Sequence, residues 1–431
     1  MAETAETAPS RLARRLGLRD AVLIGLGSML GAGVFSAFGP AASQAGSALL
    51  IGLGIAAVVA YCNAASSADL AANYPESGGT YAYGRRQLGD SWGFLAGWAF
   101  ISGKVASAGA IAFTFAAYVA PDYARPIAAA VVLGVLLVNL AGVRKTVSVT
   151  AVIVAITLAA LAIIVIAVLA GGGLDGGRVD PIGADAGPRE ILASGAILFF
   201  AFAGYARIAT LGEEVREPRR TIPRAIPIAL GIVLVIYAIV AVTVLAAVGA
   251  PALAATDAPL EAAVSASDLS SLEPVARVGA AVASLGVLLA LLAGIGRTTF
   301  AMAANRDLPP VLAAVSSRAK VPHRAEIAAA VGVLIVISVG DLRAAIGFSS
   351  VLVLTYYAIA NGSAMRLPRR MRLQPLVVPI VGLAGCLVLA TSLPASSLIP
   401  GVAVVGAGVL LALLRHRGRG WWREPAHDSG R

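Results

Sequence analysis

The apolar residues of this chain fall into roughly twelve blocks, most of about 17 to 30 residues and long enough as helices to cross ~30 Å of hydrocarbon, the ninth being short. They lie at approximately 18–38, 44–70, 90–119, 125–142, 147–170, 190–211, 224–249, 275–302, 326–340, 342–362, 375–391 and 396–414. Hydrocarbon offers no partner for a free N–H or C=O, so only helices and closed barrels span it, and blocks of this length select the helix. Composition agrees: 58% of residues are hydrophobic and 13% charged, about half the charge of a soluble domain. The expectation is an all-α, polytopic membrane protein with about 12 transmembrane helices. No polar stretch between blocks is large enough for a separate soluble domain, and residues 1–17 and 415–431 read as tails. Spans nine and ten, separated only around Gly340 and Asp341, read as a tight hairpin. The longest outer turn, from Pro251 to Pro274, is acidic through Asp257, Glu261, Asp268 and Glu273, and reads as a short surface helix or lid.

The net charge of +10 is informative through its position. With even-numbered turns and both tails on one side, that side holds Arg11, Arg14, Arg15, Arg19, Arg85, Arg86, Arg144, Lys145, Arg216, Arg219, Arg220 and Arg224. It continues with Arg306, Arg318, Lys320, Arg324, Arg366, Arg369, Arg370, Arg372 and the arginines from Arg415 onward. The other side holds Arg125, Arg178, Arg189, Arg277 and Arg343. Cytosolic loops carry the excess of Lys and Arg, so both termini are expected in the cytosol and the chain in the cytoplasmic membrane. The basicity is topological, and no loop is long enough to build a nucleic-acid surface. The N-terminal apolar stretch lacks a small-residue cleavage site and reads as a retained first span. Cys62 and Cys386 lie in apolar spans and read as small core residues, giving no disulfide or metal framework. The histidines, His323, His416 and His427, fall in loops or tail, which excludes an HExxH zinc site. No nucleophile with a base lies within the spans, so the chain reads as a non-enzyme without metal or cofactor.

Span one contains Gly25-Leu26-Gly27-Ser28-Met29-Leu30-Gly31-Ala32-Gly33. Each glycine costs a helix about 1 kcal/mol relative to alanine, and an unpaired backbone group in hydrocarbon costs several more. Such a segment persists at membrane depth where its amides and carbonyls meet a ligand, an ion or water. Gly27 and Gly31 also fit a small-residue packing face. Span six repeats the irregularity: Phe199-Phe200-Ala201-Phe202-Ala203-Gly204-Tyr205 leads to Arg207. Two interrupted spans, five apart and entering from opposite sides, match an inverted repeat whose broken helices meet around substrate. The first five-helix repeat then covers residues 18–170, the second, inverted one 190–362, and accessory helices eleven and twelve 375–414.

These segments resemble the amino acid, polyamine and organocation (APC) superfamily of secondary transporters, with the LeuT-type fold, and within it basic or neutral amino acid permeases. The resemblance is carried by Gly27 to Phe35, by Tyr74-Pro75-Glu76-Ser77-Gly78-Gly79-Thr80-Tyr81, by Glu213 to Arg220 with Ile222-Pro223, and by Asn305 to Pro310. It implies that an amino acid carboxylate sits on the amides of Ser28, Gly31, Ala32 and Gly33. The ammonium would meet carbonyls near Gly27 and Met29 and at Phe199, Ala201 and Phe202. Helix N-terminal dipoles and unwound carbonyls suit those two charges. Phe200 or Phe202 would be an aromatic gate, lipid or core contact being the alternative.

Lys104 lies about fourteen residues from either end of span three, roughly 20 Å from water. An ammonium at that depth faces the protein interior, and Gly97, Ser107 and Ala108 give its face the small residues that burial needs. Arg207, near the cytosolic end of span six, either snorkels or points inward as a fixed charge. The resemblance adds that relatives couple transport to protons through a lysine in span five. Thr157 stands there in this chain, and Ala206 replaces a carboxylate of span six. Lys104 is therefore the candidate coupling group, with a permanently charged strut as the other reading. Asp20, Asp69, Glu213 and Glu214 lie near cytosolic ends, which leaves a cationic substrate without a counter-charge; Asp69, Glu76, Glu213 and Glu214 read as partners of loop arginines in an inner gate. The expected function is neutral amino acid uptake by alternating access with proton coupling. An exchanger without proton coupling and a transport-derived sensor are the alternatives. The expected partners are an amino acid, protons and the lipid bilayer.

Overall fold

The computed structural model describes residues 16–74, 78–142, 147–209, 214–316 and 319–419. Arg11, Arg14, Arg15, Pro75, Glu76, Ser77, Arg144, Lys145, Glu213, Arg318 and His427 lie outside the described residues.

Span one is three helical pieces, α1 (Leu18–Met29), α2 (Ala32–Ser36) and α3 (Phe38–Ala45), followed by α4 (Leu49–Asn73). A short helix, α5 (Thr80–Leu88), precedes α6 (Asp90–Val119), α7 (Ala124–Leu140) and α8 (Val147–Ala170). Span six is α9 (Pro188–Phe202) and α10 (Ala206–Ala209), separated by a 3-10 turn at Ala203–Tyr205. Then come α11 (Pro218–Ala255), α12 (Pro259–Ser265), α13 (Glu273–Ala304), α14 (His323–Val339), α15 (Leu342–Met365), α16 (Val377–Ser392) and α17 (Ala395–Arg419). Among the described residues the one β pairing is a bridge between Leu16 and Val215.

Nine helical segments among the described residues are long and apolar enough to cross a membrane. The remaining expected spans are α9, α14 and α16, of 15, 17 and 16 residues. Their shortness has local causes. The 3-10 turn cuts α9, Gly340 ends α14, and Leu393-Pro394 ends α16. The expected outer surface helix is α12, tied down by Arg277, which donates to Glu261 at 2.6 Å.

The bundle centres on α6 and α15, both buried along most of their length. Peripheral α8 turns Val152, Ile156, Ile163 and Ile166 outward as an exposed apolar surface. Small residues set the closest crossings: a Cβ on Gly52 of α4 would lie 2.9 Å from the amide nitrogen of Gly195 on α9. Backbones approach that closely only without side chains, which is the packing logic of membrane helices. A polar knot joins α4, α15 and α16. Asn361 donates to Asn63 Oδ1 at 2.6 Å, Ser66 donates to Asn361 Oδ1 at 2.7 Å, and the Cys386 thiol lies 3.3 Å from Asn63 Oδ1. Cys386 thus sits among hydrogen-bonding groups in a buried polar environment.

Candidate functional site

The interruption of span one is an inverse γ-turn. Leu30 has φ −75° and ψ 65°, and the Gly31 amide donates to Met29 O at 2.8 Å, the geometry of that turn. Helix α2 then starts at Ala32, so the amides of its first turn have no carbonyl one turn back. The pairing of Gly31 with Met29 occupies one amide and one carbonyl that the sequence had assigned to ligand. Ser28 lies within α1, its hydroxyl bonded to Ile24 O at 2.8 Å. Of the four expected carboxylate donors, Ala32 and Gly33 are the ones the break releases.

The break of span six packs against this turn. A Cβ on Gly33 would lie 2.6 Å from Ala201 Cα, and one on Gly204 would collide with the Ser28 carbonyl. These two glycines are required by the contact between the breaks. Tyr237 of α11 spans the same junction: its hydroxyl lies 2.6 Å from Met29 O and 3.0 Å from Ala201 O.

Gly27, Ser28, Met29, Gly31, Ala32 and Gly33 line a cavity of roughly 330 Å³ together with Phe200, Ala201, Lys104 and Arg207. Phe199 and Phe202 do not reach it. Both are fully buried, Phe199 edge-on to Tyr357 at 5.7 Å and Phe202 against Tyr237 at 5.1 Å. The physical reason is helical periodicity: Phe199 and Phe202, three apart in α9, share the face turned to α15 and α11, whereas Phe200 and Ala201 lie on the cavity side. Phe202 as a gate is therefore corrected to a core residue, and Phe200 is the aromatic side chain of α9 at the cavity.

Lys104 is 8% exposed, and its ammonium donates to Ala203 O at 3.3 Å, a carbonyl that also accepts from the Tyr357 hydroxyl at 3.3 Å. Lysine and the span-six break are thus in direct contact. The small-residue face around it packs as expected: Ser107 and Ser349 hydroxyls are 2.6 Å apart, and Ala108 is fully buried. Arg207 points inward far enough to line the cavity beside Arg297 and Glu214.

At the α5 end of the cavity Tyr81 lines the wall and donates to Asp307 at 2.7 Å, while Arg85 donates to the same carboxylate at 3.2 Å and Asn305 donates to the Tyr81 hydroxyl at 3.0 Å. Burial, and then this bond to Asp307, pushes the Tyr81 phenol above its ordinary range. Asp69 instead accepts from the backbone amides of Leu373 and Gln374 at 3.2 and 3.3 Å, because the chain after α15 folds back over the end of α4. Sequence reasoning missed Tyr81, Tyr237 and Arg297. Arg297 had a usable signal: it is a cation within an apolar span, seven residues before the end of α13. Tyr237 gave only a single phenol in a long apolar run.

The amino acid permease family model matches residues 20–412. An uncharacterised transporter of Mycobacterium tuberculosis is 56% identical, over 93% of this chain and 91% of the relative. The vacuolar cationic amino acid transporter 4 of Arabidopsis thaliana is 28% identical over 76% of this chain and 58% of its own length. The branched-chain amino acid permease BcaP of Bacillus subtilis is 24% identical over 72% of each chain.

Proposed function

The chain belongs to the amino acid permease family, and from that premise we propose that this multi-pass membrane protein is a secondary active transporter of neutral amino acids, coupled to protons and working by alternating access. The observation that carries this reading is the meeting of two interrupted helices on a cavity lined by Lys104. The substrate carboxylate lies on the first-turn amides of α2, at Ala32 and Gly33, where the helix dipole and unpaired donors favour an anion. Its ammonium faces the carbonyl at Ala201. Phe200 closes over the ligand from the outer side, and Arg207 stands as a fixed charge on the inner side. Among the described residues Glu214 is the one carboxylate lining the cavity, against the cations Lys104, Arg207 and Arg297, a balance that disfavours a cationic side chain. Residues 18–170 and 190–362 form the inverted repeats of a LeuT-type fold and 375–414 the accessory pair, with both tails in the cytosol of a cell bounded by the cytoplasmic membrane.

Lys104 carries the coupling. Protonated, it donates to Ala203 O; deprotonated, it releases that carbonyl from its ammonium partner, so the charge state acts directly on the span-six break. The contact also suits a permanent cationic strut, which would give exchange. Uptake by Lys104→Gln in proteoliposomes separates the two. Proton coupling requires that accumulation driven by an inwardly directed proton gradient, acid outside, is lost in the variant while counterflow persists. Gradient-driven accumulation equal to wild type eliminates Lys104 as the coupling group.

A further inference from the structure

The junction between the two breaks is held from two directions. Gly33 backs onto Ala201 so closely that a Cβ there would lie 2.6 Å from Ala201 Cα, which sets the least separation of the two segments. The Tyr237 hydroxyl, 2.6 Å from Met29 O and 3.0 Å from Ala201 O, sets the greatest. A phenol has one proton, shared here between two carbonyls belonging to different spans. Met29 O also accepts from the Gly31 amide at 2.8 Å, so the phenol braces the γ-turn immediately before the free amides of Ala32 and Gly33. On its other side it reaches the carbonyl of a cavity-lining residue, Ala201. Tyr237 is itself fully buried and outside the cavity wall, its ring seated against Phe202.

We infer that Tyr237 is a specificity-determining positioning residue: by clamping Met29 to Ala201 it fixes the distance between the carboxylate seat and the ammonium seat, and so selects amino acids whose two charges sit on one carbon. This rests on the amino acid reading given above and extends it to the spacing of the ligand's charges. A ligand with one more methylene between them needs the two breaks further apart, which the phenol resists. Without the hydroxyl only the steric limit at Gly33 remains, and that limit does not oppose separation.

The test is binding of L-alanine, β-homoalanine, L-leucine and β-homoleucine to purified wild type and Tyr237→Phe, alongside the melting temperature of each protein without ligand. Tyr237→Phe keeps the ring and removes the donor. The expected result is that the preference for each α-amino acid over its β-homologue narrows about fivefold, the scale of one net hydrogen bond, with β-homologue binding improved. Phe202→Leu loosens the seat of the phenol without deleting it, and should narrow the ratio in the same direction by less; should Tyr237→Phe fail to fold, this variant decides the matter. A ratio unchanged in the folded variant, or α and β ligands weakened alike, overturns the inference and leaves Tyr237 as core packing. A wild type that binds none of the four overturns the amino acid reading and this inference with it, whereas binding by wild type with an unchanged ratio overturns this inference alone.

Discussion

The glycines of span one differ in what they touch, and the differences are measurable. Gly33 faces backbone, since a methyl there would press on Ala201 Cα at 2.6 Å. Backbone cannot swing aside, so Gly33→Ala should weaken amino acid binding at least tenfold, read by ligand-induced stabilisation. Gly31 faces the side chain of Val287, which a second substitution can remove. Gly31→Ala should lower uptake several-fold and Val287→Ala should restore part of it in the double variant, whereas additive losses would show that the two do not meet. Gly54 of α4 and Gly231 of α11 have open space where a Cβ would go. Alanine at either should leave uptake unchanged and stabilise its helix by about 0.5–1 kcal/mol, measurable as a raised melting temperature.

Among the elements, α5 is the piece that ties one end of the cavity to the chain after α13. Arg85 bridges Asp90 at 3.0 Å and Asp307 at 3.2 Å, and Tyr81 donates to Asp307 at 2.7 Å. Asp307 is nearly inaccessible, with a side chain 3% exposed, so neutralising it leaves the Arg85 fork short of its buried partner. Asp307→Asn should open this end. An Ala301→Cys reporter at the cavity wall should then react faster with an impermeant maleimide added from the cytosolic face, over a low background because Cys62 and Cys386 are buried. Neither α5 nor this tie was legible in the sequence, where the segment reads as a polar turn whose charges could pair in many ways. By contrast α6 and α8 begin and end where the apolar blocks do, at Asp90–Val119 and Val147–Ala170, because hydrophobic length alone fixes a span. The break of span one was legible through its glycines. The rotation of α9 about its axis was not, since four consecutive apolar residues, Phe199 to Phe202, carry no periodicity to say which side faces the cavity, and only packing against Tyr237 and Tyr357 decides it.

At the scale of the molecule, two interrupted helices touch at Gly33, Ala201, Gly204 and Ser28 and leave a cavity beside the contact, with Lys104 on its wall. Position along the chain predicted that both breaks exist, and the local turn geometry decides which amides and carbonyls they release: the γ-turn pairs Gly31 with Met29 and leaves Ala32 and Gly33. The charge bias across the turns predicts both tails in the cytosol. A C-terminal reporter active only in the cytosol should therefore fluoresce, and a periplasm-only reporter at the same place should not. The central claim, that the junction seats an amino acid, is tested most directly by a thermal-shift screen of purified wild type and Gly33→Ala against the twenty amino acids. The expected result is stabilisation of wild type by one or more neutral amino acids and loss of that response in the variant, whose melting temperature without ligand stays within a few degrees. Stabilisation of both proteins alike, or of neither by any amino acid, would contradict it.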